Sequence, residues 1–156
     1  MEPEKMNTYM NQYQKTQIST ASSEQILIML YDGAIRFVHQ ADEAMASGQK
    51  LQKLESISKA MAIITELANT LDHEVGGEIA ENLDALYSYM TRELTRANLK
   101  NDRELLKVVE TLLSDLRETW MQAIEINRKS KAETSKAAVS DQSASSAGYN
   151  SLAAAY

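Results

Sequence analysis

Apolar side chains recur at every third and fourth residue through most of this chain, and the recurrence lapses in only a few places. Between residues 22 and 46 the stripe is Leu27, Leu30, Ala34, Phe37, Val38, Ala41 and Met45. Between 51 and 71 it is Leu54, Ile57, Met61, Ile64, Ala68 and Leu71. Ile79, Leu83, Leu86, Met90, Leu94 and Ala97 continue it over 77–98. Over 102–128 it is Leu105, Leu106, Val109, Leu112, Leu113, Leu116, Trp120 and Ala123. This is the period of helices with one buried face, and strand-type alternation is missing. At ~1.5 Å per residue the helices are each on the order of 30–40 Å long. Similar lengths joined by short connections predict an all-α fold, an antiparallel up-down four-helix bundle over 22–129.

The breaks carry their own signals. Ser22-Ser23-Glu24-Gln25 reads as a capping box, in which Ser22 accepts from the first turn and Gln25 reaches back. Ser47-Gly48 supplies a stop, Gly76-Gly77 interrupts the chain before the third helix, and Asn101-Asp102-Arg103-Glu104 caps the fourth. Gly33 lies beside the first stripe, where a mid-helix glycine costs about 1 kcal/mol against alanine; close approach of a neighbour is its expected use.

Outside the bundle the pattern weakens. In residues 1–21, Met6, Tyr9, Met10 and Tyr13 share one face of a short helix, followed by Ile18. A segment this short is marginal alone in water. Two readings stand together: a helical or extended lid docked on an apolar surface, or a frayed end with chance spacing. Residues 130–156 are rich in Ala and Ser and read as a disordered or weakly helical low-complexity tail. Leu152 and Tyr156 are a conceivable docking handle there, although a plain tail is the expected reading.

A second set of apolar residues lies away from the stripes when the helices are plotted at roughly 100° per residue. It comprises Ile28, Tyr31 and Ile35 in the first helix, Ile63 and Leu67 in the second, and Tyr87 and Tyr89 in the third. Val108, Met121 and Ile126 are its members in the fourth. Tyr87 and Tyr89 are two apart, roughly 200° around a helix, so both cannot point into one core. Apolar surface in excess of core needs marks either a partner interface or a wide core covered by a fifth element such as residues 6–18. The candidate partner face is Ile28, Tyr31, Ile35, Ile63, Leu67, Tyr87, Tyr89, Val108 and Met121, and the candidate lid or further partner contact is Met6, Tyr9, Met10, Tyr13 and Ile18.

Composition narrows the chemistry. The 156 residues are 44% apolar, with a formal charge of −6, one proline, five glycines and no cysteine. A core of proper size is possible, whereas a nucleic-acid surface is not expected without a basic stripe, and thiolate or disulfide chemistry is excluded. No apolar run is long enough to span a bilayer, and the first residues lack a signal-peptide apolar region, so the expectation is a cytoplasmic protein. Di-iron bundles need Glu-x-x-His pairs, but Arg36 precedes His39 by three residues and Thr70 precedes His73. Both histidines read as solvated. Asp32, in an otherwise apolar run, reads as half of a hydrogen bond or ion pair between helices. No cofactor, metal site or active site is expected. The rival readings are a self-associating structural bundle and a metal or enzyme bundle with no recognisable site, and the oligomeric state is left open, a monomer being one option.

Several strings resemble the FliS-type flagellar secretion chaperones. They begin at Tyr13-Gln14-Lys15-Thr16-Gln17 and Thr20-Ala21-Ser22-Ser23 and sharpen at Met29-Leu30-Tyr31-Asp32-Gly33-Ala34. They continue through Gly76-Gly77-Glu78-Ile79-Ala80, Asn82-Leu83 and Leu86-Tyr87-Ser88-Tyr89-Met90. The last are Ala97-Asn98-Leu99-Lys100-Asn101-Asp102 and the Leu-Arg-Glu-Thr-Trp run ending at Trp120. The resemblance covers residues 9 to 125. It implies an antiparallel bundle that binds the C-terminal segment of newly made flagellin, blocks premature polymerisation and delivers the client to the export gate of the flagellar type III apparatus. It also implies an N-terminal segment that covers an apolar pocket in the free protein, and no cofactor. Ser23 departs from the family's usual proline, and the tail after Arg128 carries no family motif.

Overall fold

The computed structural model describes residues 22–137 and 155–156. Its described part is built from four helices: α1 (Ser23–Ala46), α2 (Lys50–Asn69), α3 (His73–Lys100) and α4 (Arg103–Lys136). No helix among the described residues is long and apolar enough to cross a membrane.

Three of the four described helices start on a side-chain cap, and α2, which follows Gln49, does not. Ser22 Oγ accepts from the Gln25 N–H at 3.2 Å, and Gln25 Oε1 accepts from the Ser22 N–H at 3.0 Å, closing a capping box at α1. Asp72 accepts from the Val75 N–H, and Asp102 from the Glu104 N–H, each at 3.0 Å, so α3 and α4 both begin on a carboxylate placed against orphan amides. The one non-helical residue inside α3 is Gly77, at φ 51° and ψ −126°. A side chain at that backbone conformation would be strained, which is why glycine is required there. The helix expected from residue 77 therefore gains a first turn, His73 to Gly76, ahead of a bend. Asn101 takes the left-handed conformation, φ 53°, and ends α3.

Polar contacts fix the directions. Arg103, at the start of α4, grips Asp42 near the end of α1 with Nε at 2.8 Å, and further along Arg117 Nε meets Asp32 at 2.5 Å. As α4 ascends, its partners on α1 descend, so the two run antiparallel. Lys53, early in α2, donates from Nζ to the Asn98 carbonyl at 3.3 Å and to Asn101 Oδ1 at 3.2 Å, at the end of α3. α2 and α3 are likewise antiparallel. With α1 packed on both α2 and α4, and α3 on both as well, the ring closes as an up-down bundle.

The buried positions alternate by three and four with little drift. They are Tyr31, Ala34, Val38, Ala41 and Met45 on α1, and Ile57, Ala60, Ile64 and Leu67 on α2, leading to Leu71. α3 contributes Ala80, Leu83, Tyr87, Met90, Leu94 and Ala97, and α4 contributes Leu106, Val109, Leu113, Trp120 and Ala123. A mean period near 3.5 is that of left-handed supercoiled packing, in which one narrow seam stays against its neighbours. The stripes expected from sequence straddle this seam: Leu27, Leu30, Phe37, Met61, Ala68, Ile79, Leu105, Leu112 and Leu116 are only partly buried and pack against it. Leu54 is a clear departure. It is 49% exposed, because the seam counted back four residues from Ile57 falls on Lys53, whose ammonium crosses to α3.

α4 also exceeds its expected end at residue 128, remaining helical to Lys136. Residues 130–136, expected within a low-complexity tail, thus belong to the helix. Asp32 does pair with another helix, as expected, but at the surface, with half of its side chain exposed.

Gly33 is fully in the interior, and a Cβ there would stand 3.1 Å from Ile63 Cδ1 on α2. That close approach explains the glycine. Gly33→Ala trades about 1 kcal/mol of helix propensity against displacement of a flexible methyl, so stability should stay within about 1 kcal/mol of wild type. Gly33→Leu should lower the midpoint of a urea melt by far more, since the backbone of α2 would have to move.

Candidate functional site

Four aromatic side chains meet at one end of the bundle. Tyr31 from α1 and Tyr87 from α3 point to one another across the core, and their hydroxyls are hydrogen-bonded. Trp120 from α4 donates its indole Nε1–H to the Tyr31 hydroxyl at 3.3 Å. The Tyr156 hydroxyl bonds to that of Tyr87, and the Tyr156 ring meets Trp120 edge-to-face, centroids 5.3 Å apart at 70°. The seam places these groups: Tyr31 and Tyr87 occupy ordinary buried positions of the three-four repeat.

Phenols in a core need partners for their hydroxyls, and the four groups supply them to one another. The Trp120 N–H can only donate, so Tyr31 accepts from it and has its own proton free for Tyr87, which in turn can donate to Tyr156. Burial pushes the Tyr31, Tyr87 and Tyr156 phenols above the usual tyrosine range, with burial the largest cause in each. All three therefore remain protonated at neutral pH. The cluster holds a chain of neutral donors, which suits a structural and recognition role.

Next to this cluster lies a groove of about 390 Å³ between α1 and α4. Ile26, Leu27, Leu30, Trp120, Ile124 and Tyr156 give it a mostly apolar wall, while Ser23, Glu24 and Thr70 stand at its polar margin. Positions 23, 26, 27 and 30 are one face of the first turns of α1, and Trp120 and Ile124 of α4 stand across the groove from them. Its volume lies in the range of ordinary ligand clefts, and its shape suits large apolar side chains.

The residues expected on a partner face are scattered by the structure. Tyr31 and Leu67 are completely buried and Tyr87 is 1% exposed, so these three are core in this conformation and not surface. The reason is the narrow seam: a period of 3.5 carries positions 31, 67 and 87 inward, whereas stripes drawn at 3.6 leave them at the border. Ile28, Ile35 and Ile63 are partly buried and pack on the core. Tyr89, Val108 and Met121 are exposed, as is Ile126. Of the expected set only Tyr31 and Tyr87 touch one another through a hydrogen bond, and none lines the groove. Met6, Tyr9, Met10, Tyr13 and Ile18 lie outside the described residues, as does Leu152.

The groove residues were missed for identifiable reasons. Leu27, Leu30 and Trp120 carry the signal of core, and Ile26 and Ile124 look like isolated surface residues. Only the packing of α1 against α4 brings them together as one surface. Tyr156 was expected in a plain tail, yet it is half-buried against Trp120 and Tyr87. Elsewhere the titratable groups pair in ordinary ways: His39 Nε2 is 3.4 Å from Glu43 on the same exposed face, and the Arg103 guanidinium beside Asp42 holds that carboxyl below its usual range.

What these elements define is a helical scaffold that presents an apolar, aromatic-floored groove at one end. Residues 5–127 match the family model described as flagellar protein FliS. The chain is 37% identical to the flagellar secretion chaperone FliS of Bacillus subtilis over 119 residues, covering 76% of this chain and 88% of the relative. It is 44% identical to the chaperone of the same name from Salmonella typhimurium over 106 residues, 67% of this chain and 78% of the relative. With the one from Campylobacter jejuni the identity is 34% over 114 residues, 73% and 89% of the two chains. The chain belongs to the FliS family of flagellar proteins.

Tyr31→Phe removes the acceptor of the Trp120 N–H and one partner of Tyr87, and a buried donor left unpaired costs about 1–3 kcal/mol. Urea denaturation followed by circular dichroism should register a loss in that range. The raised phenol pKa values also have a sign: stability is present below the unfolded tyrosine value of 10.0 and is lost as pH rises above it, when the unfolded chain ionises first. Wild type should therefore lose more stability between pH 9 and 11, roughly the span around that ionisation, than Tyr31→Phe does.

Proposed function

We propose that this protein is a cytoplasmic export chaperone without enzymatic activity. It binds the disordered C-terminal segment of flagellin, prevents premature polymerisation and delivers the client to the flagellar type III export gate. The observation that carries the reading is the match of residues 5–127 to the FliS model, together with relatives named flagellar secretion chaperones. The α1–α4 groove supports it from the physical side. An apolar trough beside an exposed helix face is suited to an amphipathic helix laid into it, with large side chains at i, i+3 and i+4 as anchors.

The energetics suit a delivery role. A client segment that is unstructured when free gives up conformational entropy as it orders, so affinity per unit of buried area is modest and a long wrapped surface compensates. Tyr89 on α3 and Val108, Met121 and Ile126 on α4 are further exposed apolar side chains, which in this reading serve as additional contacts for such a segment. Nothing in this cycle requires a nucleotide or metal. Residues 1–18, with Met6, Tyr9, Met10, Tyr13 and Ile18, serve in this reading as a cover for apolar surface or a contact for the export gate, and their deletion should raise binding of an apolar dye.

Calorimetric titration with flagellin, and with flagellin lacking about its last forty residues, enough for several helical turns, tests the client. Tight binding to the first and none to the second is expected; equal binding to both would overturn the reading. Ile26→Asp places a charge in the groove at an already accessible position. It should weaken flagellin by about tenfold or more, which corresponds to about 1.4 kcal/mol, while far-UV circular dichroism stays unchanged.

A further inference from the structure

The groove is already partly filled, and by this chain. The Ala155 carbonyl accepts from the Asp72 N–H at 2.7 Å, and Ala155 is fully buried. Tyr156 sets its ring against Trp120, bonds its hydroxyl to Tyr87 and forms one wall of the groove beside Ile26, Leu27 and Leu30. Two consecutive residues thus hold three separate parts of the bundle: the α2–α3 connection, α3 and α4. Asp72 already uses its side chain to cap α3, and its N–H, which lies ahead of the helix, is what Ala155 occupies.

We infer that Ala155–Tyr156 is an intramolecular plug of the α1–α4 groove, which a client helix must displace to reach the Trp120 ring and the Tyr87 hydroxyl that Tyr156 covers. The inference rests on the chaperone reading for the identity of the competitor, but not for the docking itself. Chain length permits it. Trp120 and Lys136 are 16 residues apart on α4, about 24 Å along the helix. The 18 residue steps from Ala137 to Ala155 can extend about 60 Å, ample to return to the site. A tethered side chain also acts at an effective concentration on the order of millimolar, so two hydrogen bonds and one edge-to-face contact suffice to keep it populated.

The chemistry of the plug matches that of a client anchor. An aromatic ring on Trp120 and a hydroxyl on Tyr87 are what a tyrosine or similar large side chain of an incoming amphipathic helix would supply. Occupation by the chain's own residue lowers apparent client affinity by the fraction of molecules that are open. It also keeps Trp120, only 3% exposed here, out of water while no client is bound. Such a plug favours exchange for a helix that makes further contacts and disfavours short apolar intruders that make none.

The protein contains a single tryptophan, so its fluorescence reports on this site alone. Tyr156→Ala and a chain ending at residue 150 should each show red-shifted emission and stronger iodide quenching than wild type, with unchanged helicity. Both should bind a flagellin C-terminal peptide about three- to tenfold more tightly, as expected when roughly 70–90% of wild-type molecules are plugged. Tyr156→Phe, which keeps the ring, should fall between. Unchanged emission and quenching in Tyr156→Ala would overturn the docking. Shifted emission with unchanged or weaker peptide affinity, in a protein whose wild type does bind the peptide, would overturn the competition. If wild type binds no flagellin, the chaperone reading fails and the competition with it, while the emission experiment still decides the docking. Emission that depends on protein concentration, with a doubled mass in solution, would assign the occupant to a second copy and overturn the intramolecular plug.

Discussion

Everything at the open end of this bundle depends on how two buried tyrosines are satisfied. Tyr31 and Tyr87 occupy seam positions where an aliphatic residue would pack without further demands. A phenol there brings a hydroxyl that is costly to strand away from water. The two hydroxyls pair across the core, and the Trp120 N–H and Tyr156 hydroxyl extend the chain at either end. The result ties α1, α3 and α4 together at a single point and orients Trp120 so that its ring faces the groove. A purely aliphatic seam would close the bundle equally well but would specify neither the rotamer of Trp120 nor a polar handle next to an apolar wall.

The rest of the molecule holds that end in place with conventional means. Narrow seams with a 3.5-residue period bring four helices into a ring, and surface ion pairs select the register. Arg103–Asp42 and Arg117–Asp32 lie along one helix pair, and Lys53 at the α2–α3 pair caps the carbonyl end of α3. Exposed pairs of this kind contribute little to stability. Their effect is to disfavour slipped alignments in which like charges would meet. Gly33 adds a steric element, since it lets Ile63 approach and brings α1 and α2 close near the middle of the bundle.

Membership of the FliS family and the groove geometry point in the same direction without duplicating one another. The family match covers α1 to α3 and most of α4, whereas Tyr156, which completes the groove, lies beyond the matched residues 5–127. Tyr31, Tyr87 and Trp120 lie within the matched residues, and Tyr156 lies outside them.

The all-helical fold, the four helices of the described residues, the capping box at Ser22 and the cap at the start of α4 were legible in the sequence. Helix period, cap chemistry and glycine placement act within a few residues and need no tertiary partner. An inter-helix role for Asp32 was legible too. Which of several neighbouring apolar residues became core was not, because a shift from 3.6 to 3.5 residues per turn arises only when helices supercoil together; it moved Tyr31, Leu67 and Tyr87 inward and Leu54 outward. Nor could the groove be read from the chain: Ile26 and Leu30 of α1 line it together with Trp120 and Ile124 of α4 only because those two helices pack side by side. Tyr156 joins them across more than thirty residues of sequence from Trp120. Local periodicity decided that this chain would be a bundle, and the packing of four helices around two phenols decided where it would be open.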